Sequence, residues 1–326
     1  MAVYTRLGAE EMGAIIATFD VGSLVSAKGI AEGVSNSNWL IETQDEQDIA
    51  HRFILTMYES RTDISDLPFF LDLLDHLAAN GCPVPRTIHD RDGASHRFHQ
   101  GKALALIEFL PGVSVSDPTP GQARAVGAAL AQVHLSAAGF GDTRANSMGL
   151  KAWQQLLGDC GHEGLASIHP ELARIVDREL AALEAGWPTD LPRGVIHADL
   201  FPDNVLMLGD RVTGLIDFYF ACTDITAYDV AVTHAAWCFS ADGTQFIPAL
   251  STALLEGYES VRVLSPEEHA ALPLLARGAA MRFLATRAYD WLNTPADALV
   301  TPKDPMAFAR RLKFYADPGN AGVFAA

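Results

Sequence analysis

The stretch His197-Ala198-Asp199-Leu200-Phe201-Pro202-Asp203-Asn204, followed by Leu215-Ile216-Asp217-Phe218, limits what this chain can fold into more than any other. Between the two blocks lie the strand-like runs Val205–Leu208 and Val212–Asp217, joined by Gly209-Asp210, a pair suited to a turn. A hairpin there brings Asn204 and Asp217 to one end of the ladder, with Asp199 just ahead in the same loop. The fold must then deliver two carboxylates and an amide oxygen to a single place.

Hard oxygen donors of this kind suit Mg²⁺, which prefers octahedral oxygen ligands and shares them with phosphates. Phosphoryl transfer asks for little more: one carboxylate to receive the acceptor's proton, and oxygens to hold the metal against the ATP phosphates. Asp199 is the candidate base, and Asn204 and Asp217 are the candidate metal ligands. His197, so close to the base, reads as a hydrogen-bonded anchor of the loop. Upstream, Gly29–Ser37 lies between two strand-like runs and is rich in residues that tolerate tight backbone geometry. Its backbone N–H groups suit a flap over ATP phosphates, with Gly33, Ser35, Asn36 and Ser37 as the candidate contacts. No Gly-Lys-Ser or Gly-Lys-Thr follows, so this is not a Walker A loop.

The chain has 326 residues, enough for two lobes that each bury a core. Its 40 acidic and 23 basic residues give a formal net charge of −17. Such a field repels phosphate backbones and anionic membranes, so neither nucleic acid nor membrane is an expected partner. No apolar run is long enough to span a bilayer, and Glu10 and Glu11 interrupt any signal-like start, so a cytoplasmic location is expected. Cys82, Cys160, Cys222 and Cys238 form no Cys-x-x-Cys pair and read as reduced, buried thiols.

A short helix near Ala9–Phe19 is expected, then strands at Leu24–Ala27, Asn38–Glu42 and Arg52–Tyr58. A helix starts near Asp66 with Pro68 in its first turn, carries a stripe of Phe69, Phe70, Leu73, Leu74 and Leu77, and ends at Asn80-Gly81. Val84–His89 and Ala103–Phe109 complete five strands. Leu110-Pro111-Gly112 reads as a hinge, beyond which helices dominate: Thr119–Ala138, Pro170–Ala185, Ile225–Phe239, Gln245–Val261 and Pro266–Leu292. The pattern predicts an α+β chain of two lobes. Residues 1–110 would be the nucleotide-binding lobe, an antiparallel sheet plus helix. Residues 111–326 would be a larger, mainly helical lobe for catalysis and substrate binding.

His-Ala-Asp-Leu-Phe-Pro-Asp-Asn-Val-Leu followed by Ile-Asp-Phe resembles the aminoglycoside phosphotransferase and choline kinase superfamily, which shares the protein kinase-like fold. Narrower strings resemble its bacterial homoserine kinases. They are Gly214-Leu-Ile-Asp-Phe-Tyr-Phe-Ala-Cys-Thr-Asp224, Ala227-Tyr-Asp-Val-Ala231, Ala236-Trp-Cys-Phe239, Asn36-Ser-Asn38, Phe53-Ile-Leu-Thr-Met-Tyr-Glu59 and Arg277-Gly-Ala-Ala-Met-Arg-Phe-Leu284. The resemblance implies ATP-dependent phosphorylation of the L-homoserine hydroxyl, a step toward threonine, with Mg²⁺ as cofactor. It implies Asp199 as base, Asn204 and Asp217 as metal ligands, and Asp229 as a brace of the catalytic loop. Backbone groups near Glu108–Leu110 would receive the adenine. Two alternatives stand beside it: another small-molecule kinase of the superfamily, for choline, an aminoglycoside or a sugar-like alcohol, and a catalytically dead binding module.

Many kinase-like enzymes hold the α- and β-phosphates with a third-strand lysine paired to a helix glutamate. Here Thr56 stands about where that lysine would fall, and the following helix offers Asp72 and Asp75 but no glutamate. Arg52 shares a strand face with Thr56 by period two, so it becomes the candidate phosphate contact. Homoserine is zwitterionic. Arg282, then Arg287, are the candidates for its carboxylate, and Tyr219 and Asp224 for its ammonium.

Overall fold

The structure, a computed structural model, describes residues 5, 7–30, 36–59, 63–295 and 301–324. Gly33 and Ser35 lie outside these described residues. The chain divides into two compact units, Met1–Gly112 and Val113–Ala326.

In the N-terminal unit, helix α1 (Ala9–Ile16) precedes strands β1 (Ser23–Ile30), β2 (Ser37–Gln44) and β3 (Ala50–Met57). Helix α2 (Leu67–Ala79) follows, then β4 (Thr87–Ile88), β5 (Arg97–His99) and β6 (Lys102–Glu108). The strands form one antiparallel sheet in the order β1-β2-β3-β6-β4, with β5 also paired to β6. This is one strand more than the sequence suggests. β5 has only three residues, too few to show an alternating pattern, and exists as the partner of β6 across the Gln100-Gly101 turn, where both residues have positive φ.

Period-two alternation explains the core of this unit. The registers Trp39↔Leu55 and Leu55↔Leu106 line apolar side chains across three strands on one face. Met12, Ile15, Ile16 and Phe19, from α1 and the turn behind it, pack against that row. α2 buries Phe69, Phe70, Leu73, Leu74 and Leu77, has Pro68 in its first turn, and ends at Asn80, followed by Gly81 at φ 79°. Glycine suits that last position because a left-handed backbone carries no Cβ penalty there.

The C-terminal unit holds α3 (Pro120–Ala137), α4 (Leu150–Ile168), α5 (Leu172–Gly186), β7 (Arg193–Ile196), β8 (Val205–Leu208), β9 (Arg211–Leu215), β10 (Cys222–Ile225), α6 (Thr226–Trp237), α7 (Pro248–Glu259), α8 (Pro266–Asn293) and α9 (Met306–Ala316). α4, β7, β10 and α9 are additions to the sequence-based outline. α4 bends at Gly161, whose φ of 64° and ψ of 163° are not helical, and this breaks the apolar repeat that would have revealed it. α3 and α8 each begin with a capping box, at Thr119/Gln122 and Ser265/Glu268. The four cysteines are buried and no disulfide joins them, and no helix among the described residues is long and apolar enough to cross a membrane.

Two small ladders frame the motif region. β7 pairs with β10, and β8 pairs with β9 from Val205↔Leu215 at one end to Leu208↔Arg211 at the other.

Candidate active site

The catalytic-loop candidate begins where β7 ends, and its backbone is held from several directions. Asp229, fully buried on α6, accepts the N–H of His197 through Oδ2 at 2.7 Å and the N–H of Ala198 through Oδ1 at 2.7 Å. His134 of α3 reaches the same Oδ2 through Nε2 at 3.0 Å, and its Nδ1 lies 2.8 Å from the Tyr258 hydroxyl on α7. Trp237 donates from Nε1 to the Leu200 carbonyl at 2.9 Å. Burial alone would raise the Asp229 carboxyl. The hydrogen bond and charge of His134, with the His197 contacts, hold it below the ordinary carboxylate range instead.

The His197 ring packs against Phe218 at a tilt of 51°, with ring centroids 4.4 Å apart. Its Nε2 donates to the Ile216 carbonyl at 3.0 Å and its Nδ1 accepts from the Asp199 N–H at 3.2 Å. Those two bonds fix the tautomer, and burial pushes its pKa down, so it stays neutral. His197 thus ties the loop to the end of β9 and has no free nitrogen for proton transfer.

The hairpin does the rest of the assembly. Because Val205 pairs with Leu215, Asn204 and Ile216 sit opposite each other, and the Ile216 N–H donates to the Asn204 carbonyl at 3.0 Å. Asp217 follows at φ 66° and Ala198 stands at φ 64°. Left-handed backbone at a non-glycine residue is unfavourable, and two such residues in one motif mark geometry held by its surroundings. Asn204 turns its amide nitrogen to the Asp199 carbonyl at 2.8 Å and to Asp199 Oδ2 at 3.3 Å, which leaves its side-chain oxygen without a hydrogen bond among the described residues.

Burial pushes the Asp199 carboxyl up to about 7, with Arg282 opposing and Asp217 adding to the rise. The Asp217 carboxyl, on an exposed residue yet surrounded by protein, is pushed up to about 6 by the same cause and by Asp203. Two carboxylates short of positive charge, with a spare amide oxygen between them in sequence, fit a hard divalent cation.

Arg282, 2% exposed, donates from Nη1 to the Ala198 carbonyl, and its Nη2 lies 3.9 Å from Asp199 Oδ1. Arg287 donates from Nη1 to the Asp304 carbonyl at 3.2 Å. Tyr219 is half-buried in the short turn after Asp217. Asp224 does not fit its expected part: Oδ2 accepts from Asn146 Nδ2 at 2.7 Å, while Oδ1 accepts from the Ile225 N–H at 2.8 Å and faces Arg193 at 3.1 Å. Its oxygens are thus already engaged by Asn146, Arg193 and its own strand, so an ammonium would have to share them.

In the N-terminal unit, Arg52 also departs from expectation. It is an exposed arginine whose Nε pairs with Glu42 at 3.0 Å, directly across the β2–β3 ladder, so the nearest carboxylate claims it. Thr56, buried, donates to Asn38 Oδ1 at 2.8 Å; a neutral, part-buried pair occupies the place where other kinases keep a lysine. Asn36 and Ser37 are both fastened to Glu59: Asn36 Oδ1 accepts the Glu59 N–H at 3.3 Å, and Ser37 Oγ donates to Glu59 Oε1 at 2.8 Å. Lys102 forms an ion pair with the same carboxylate. Glu108 ends β6 opposite Phe53 and pairs with Arg86 at 3.3 Å; Leu110 lies past the ladder, where its backbone is outside the sheet.

His134 and Tyr258 were not singled out from sequence. The available signal was a polar residue on the apolar stripe of α3, which carries Val126, Leu130, Ala131 and Val133.

The model of the Phosphotransferase enzyme family matches residues 26–264. A homoserine kinase of Azorhizobium caulinodans is 51% identical over 315 residues, covering 97% of this chain and 96% of that protein. One from Rhizobium etli is 48% identical over 324 residues, covering 99% of each. Among solved structures, an amicoumacin kinase in complex with AMP-PNP and Ca²⁺ superposes with a TM-score of 0.69 at 16% identity, covering 95% of this chain and 93% of that one. A microcompartment-associated aminopropanol kinase gives 0.65 at 20%, covering 94% and 96%. At such identities these neighbours establish the kinase-like fold, with its antiparallel sheet and helical remainder, and nothing finer. Near half-identity across almost the whole length carries more: the chain belongs to the phosphotransferase enzyme family, within its homoserine kinases.

Proposed function

We propose that this protein transfers the γ-phosphoryl group of MgATP to the hydroxyl of L-homoserine, giving O-phospho-L-homoserine and ADP. The observation that carries the mechanism is the fixed loop of Asp199, held through Asp229, His197 and Asn204 beside a second carboxylate, Asp217. Asp199 takes the proton as the acceptor oxygen bonds to the γ-phosphorus and the bond from that phosphorus to the bridging oxygen breaks. Asn204 and Asp217 would hold Mg²⁺, which neutralises charge on the phosphates. The raised carboxyls at Asp199 and Asp217 return to the charged state once positive charge is present, because opposite charge favours ionisation.

Nucleotide contacts are assigned to the N-terminal unit: backbone N–H groups at Asn36 and Ser37, whose side chains are engaged by Glu59, and the backbone from Glu108 to Leu110. Arg52 is not among them. On the acceptor side, Arg282, Arg287 and Tyr219 remain the candidates. The proposed lobe boundaries follow the same division of labour, residues 1–110 for nucleotide and 111–326 for catalysis and acceptor.

Steady-state assay of ATP consumption with L-homoserine and Mg²⁺ tests the reading. Asp199→Asn is expected to lower kcat by about 10²–10⁴-fold, the usual worth of general-base help, while nucleotide binding persists. Full activity in that variant would sink the assignment of the base.

A further inference from the structure

Around the catalytic loop of a chain with net charge −17, several cations gather on one aromatic stack. Phe201, just past Asp199, packs edge-on against Phe283 of α8 with centroids 4.7 Å apart, and lies 6.0 Å from Phe308 of α9. Phe283 and Phe308 are themselves 5.0 Å apart. Arg282 covers Phe283 at 4.7 Å, Lys303 lies 6.0 Å from Phe201, and Arg287 and Arg311 take Phe308 at 4.5 and 4.4 Å.

What already neutralises each cation separates them. Lys303 faces Asp203 at 3.5 Å. Arg282 is engaged with the Ala198 carbonyl and Asp199. Arg311 is 3% exposed and donates to the carbonyls of Ala307, Ser240 and Ala241, which enclose it. Arg287 is different. It is half-buried, its hydrogen bond among the described residues is the single one to the Asp304 carbonyl, and no carboxylate there comes within ion-pairing distance. Burial pushes its guanidinium down to about 10, and the charges of Asp304, Asp203 and Asp199 only partly offset that. Most of its five N–H donors are therefore available, on a plane held rigid by Phe308. A carboxylate is the ligand that such a fork accepts in two parallel bonds.

We propose that Arg287 reads the α-carboxylate of the acceptor and so sets the enzyme's preference for an amino acid over a bare amino alcohol. This rests on homoserine being the acceptor. Arg282 is then a positioning residue, holding the strained backbone at Ala198 and the Asp199 side chain, and the order of the two arginines inferred from sequence is reversed.

The test compares L-homoserine with 3-aminopropan-1-ol, which lacks only the carboxylate, both with MgATP. Wild type is expected to prefer homoserine strongly. Arg287→Met is expected to lose on the order of 10²-fold in kcat/KM for homoserine, mostly through KM, as when one partner of a desolvated charge pair is removed. Its rate with 3-aminopropan-1-ol and its KM for ATP should stay where they were, and Arg287→Lys should recover part of the loss. Equal losses with both acceptors, or none with homoserine, would overturn the inference. Should the Met variant fail to fold, Arg287→Lys alone gives the same comparison between acceptors. A wild type that ignores homoserine would instead strike at the acceptor reading, and the role of Arg287 would fall with it.

Discussion

Asp229 touches no reacting atom in this scheme, yet more of the loop depends on it than on any other single side chain. Asparagine in its place keeps the shape but turns an N–H donor toward backbone N–H donors. Asp229→Asn is expected to cost about 3 kcal/mol in urea unfolding, because a buried hydrogen-bonded charge cannot be removed from one side without leaving its partners unpaired. A fall in kcat of roughly 10²-fold should accompany it as Asp199 loses its fixed position. The carboxyl's folded pKa lies below its unfolded value, so its contribution is complete at neutral pH and fades only as pH falls below the ordinary carboxylate range. The variant should therefore lose part of the acid limb of the stability profile. At this scale the sequence was readable where partners are close along the chain. Asp199, Asn204 and Asp217 declare themselves because one hairpin places them. Arg282 and Arg287 could be named, with Arg282 placed first, but the partners that separate their roles lie on the catalytic loop and on α9, far along the chain. The present partners of Arg52 and Asp224 were hidden for the same reason: the carboxylate facing Arg52 and the amide facing Asp224 come from paired or distant elements.

Among the elements, the contact of α3 with α7 decides where His134 and Tyr258 meet. Gly127 on α3 lies against the Leu254 carbonyl and the Tyr258 nitrogen, and Gly257 on α7 lies against the Arg124 carbonyl, so added Cβ atoms would strike backbone. Gly127→Ala gains helix propensity of about 1 kcal/mol but must separate the two helices. A net loss of about 1–3 kcal/mol is expected by calorimetry, together with a reduced kcat as His134 shifts on Asp229. Gly158 on α4 is the control, for a Cβ there meets nothing within 4 Å. Its alanine variant should be as stable as wild type or slightly more so. Such close approaches explain part of what pattern reading missed. Helices with long regular stripes, α2 and α3, stood out in the sequence, whereas β5, β7 and β10 are too short to carry a period and exist through their partners. α9 has helical spacing at Phe308, Leu312 and Tyr315, but Arg310, Arg311 and Lys313 blur it unless the stacking on Phe308 is known.

Across the C-terminal unit as a whole, buried histidines make stability pH-sensitive. His234 of α6 is enclosed by the Tyr315 hydroxyl of α9 at 2.7 Å and Ser251 Oγ of α7 at 2.8 Å, and burial pushes it down to about 3. Its folded pKa is lower than its unfolded value, so the unfolded chain binds more protons in the window from about 6.5 down to about 3. Stability is complete above that window and lost as pH falls through it. Denaturant titrations at pH 7.5 and pH 5 should differ by about 2 kcal/mol from this residue alone. An unchanged midpoint would contradict the neutral, buried state. The two-lobed α+β plan was legible from the switch from strands to helices near residue 110. The chain's charge was legible too, but not the way cations collect on Phe201, Phe283 and Phe308.

That stack also bears on departure. L-homoserine arrives with no net charge, whereas its phosphate ester leaves carrying about −1.5 to −2 more. Within the site a guanidinium on Phe308 holds one carboxylate at short range. Over the first Debye length outside the site, ~8 Å at physiological salt, the product meets the excess negative charge of the whole protein before salt screens it. Capture is then local and expulsion global, and the same molecule that holds its acceptor through one arginine pushes the product away.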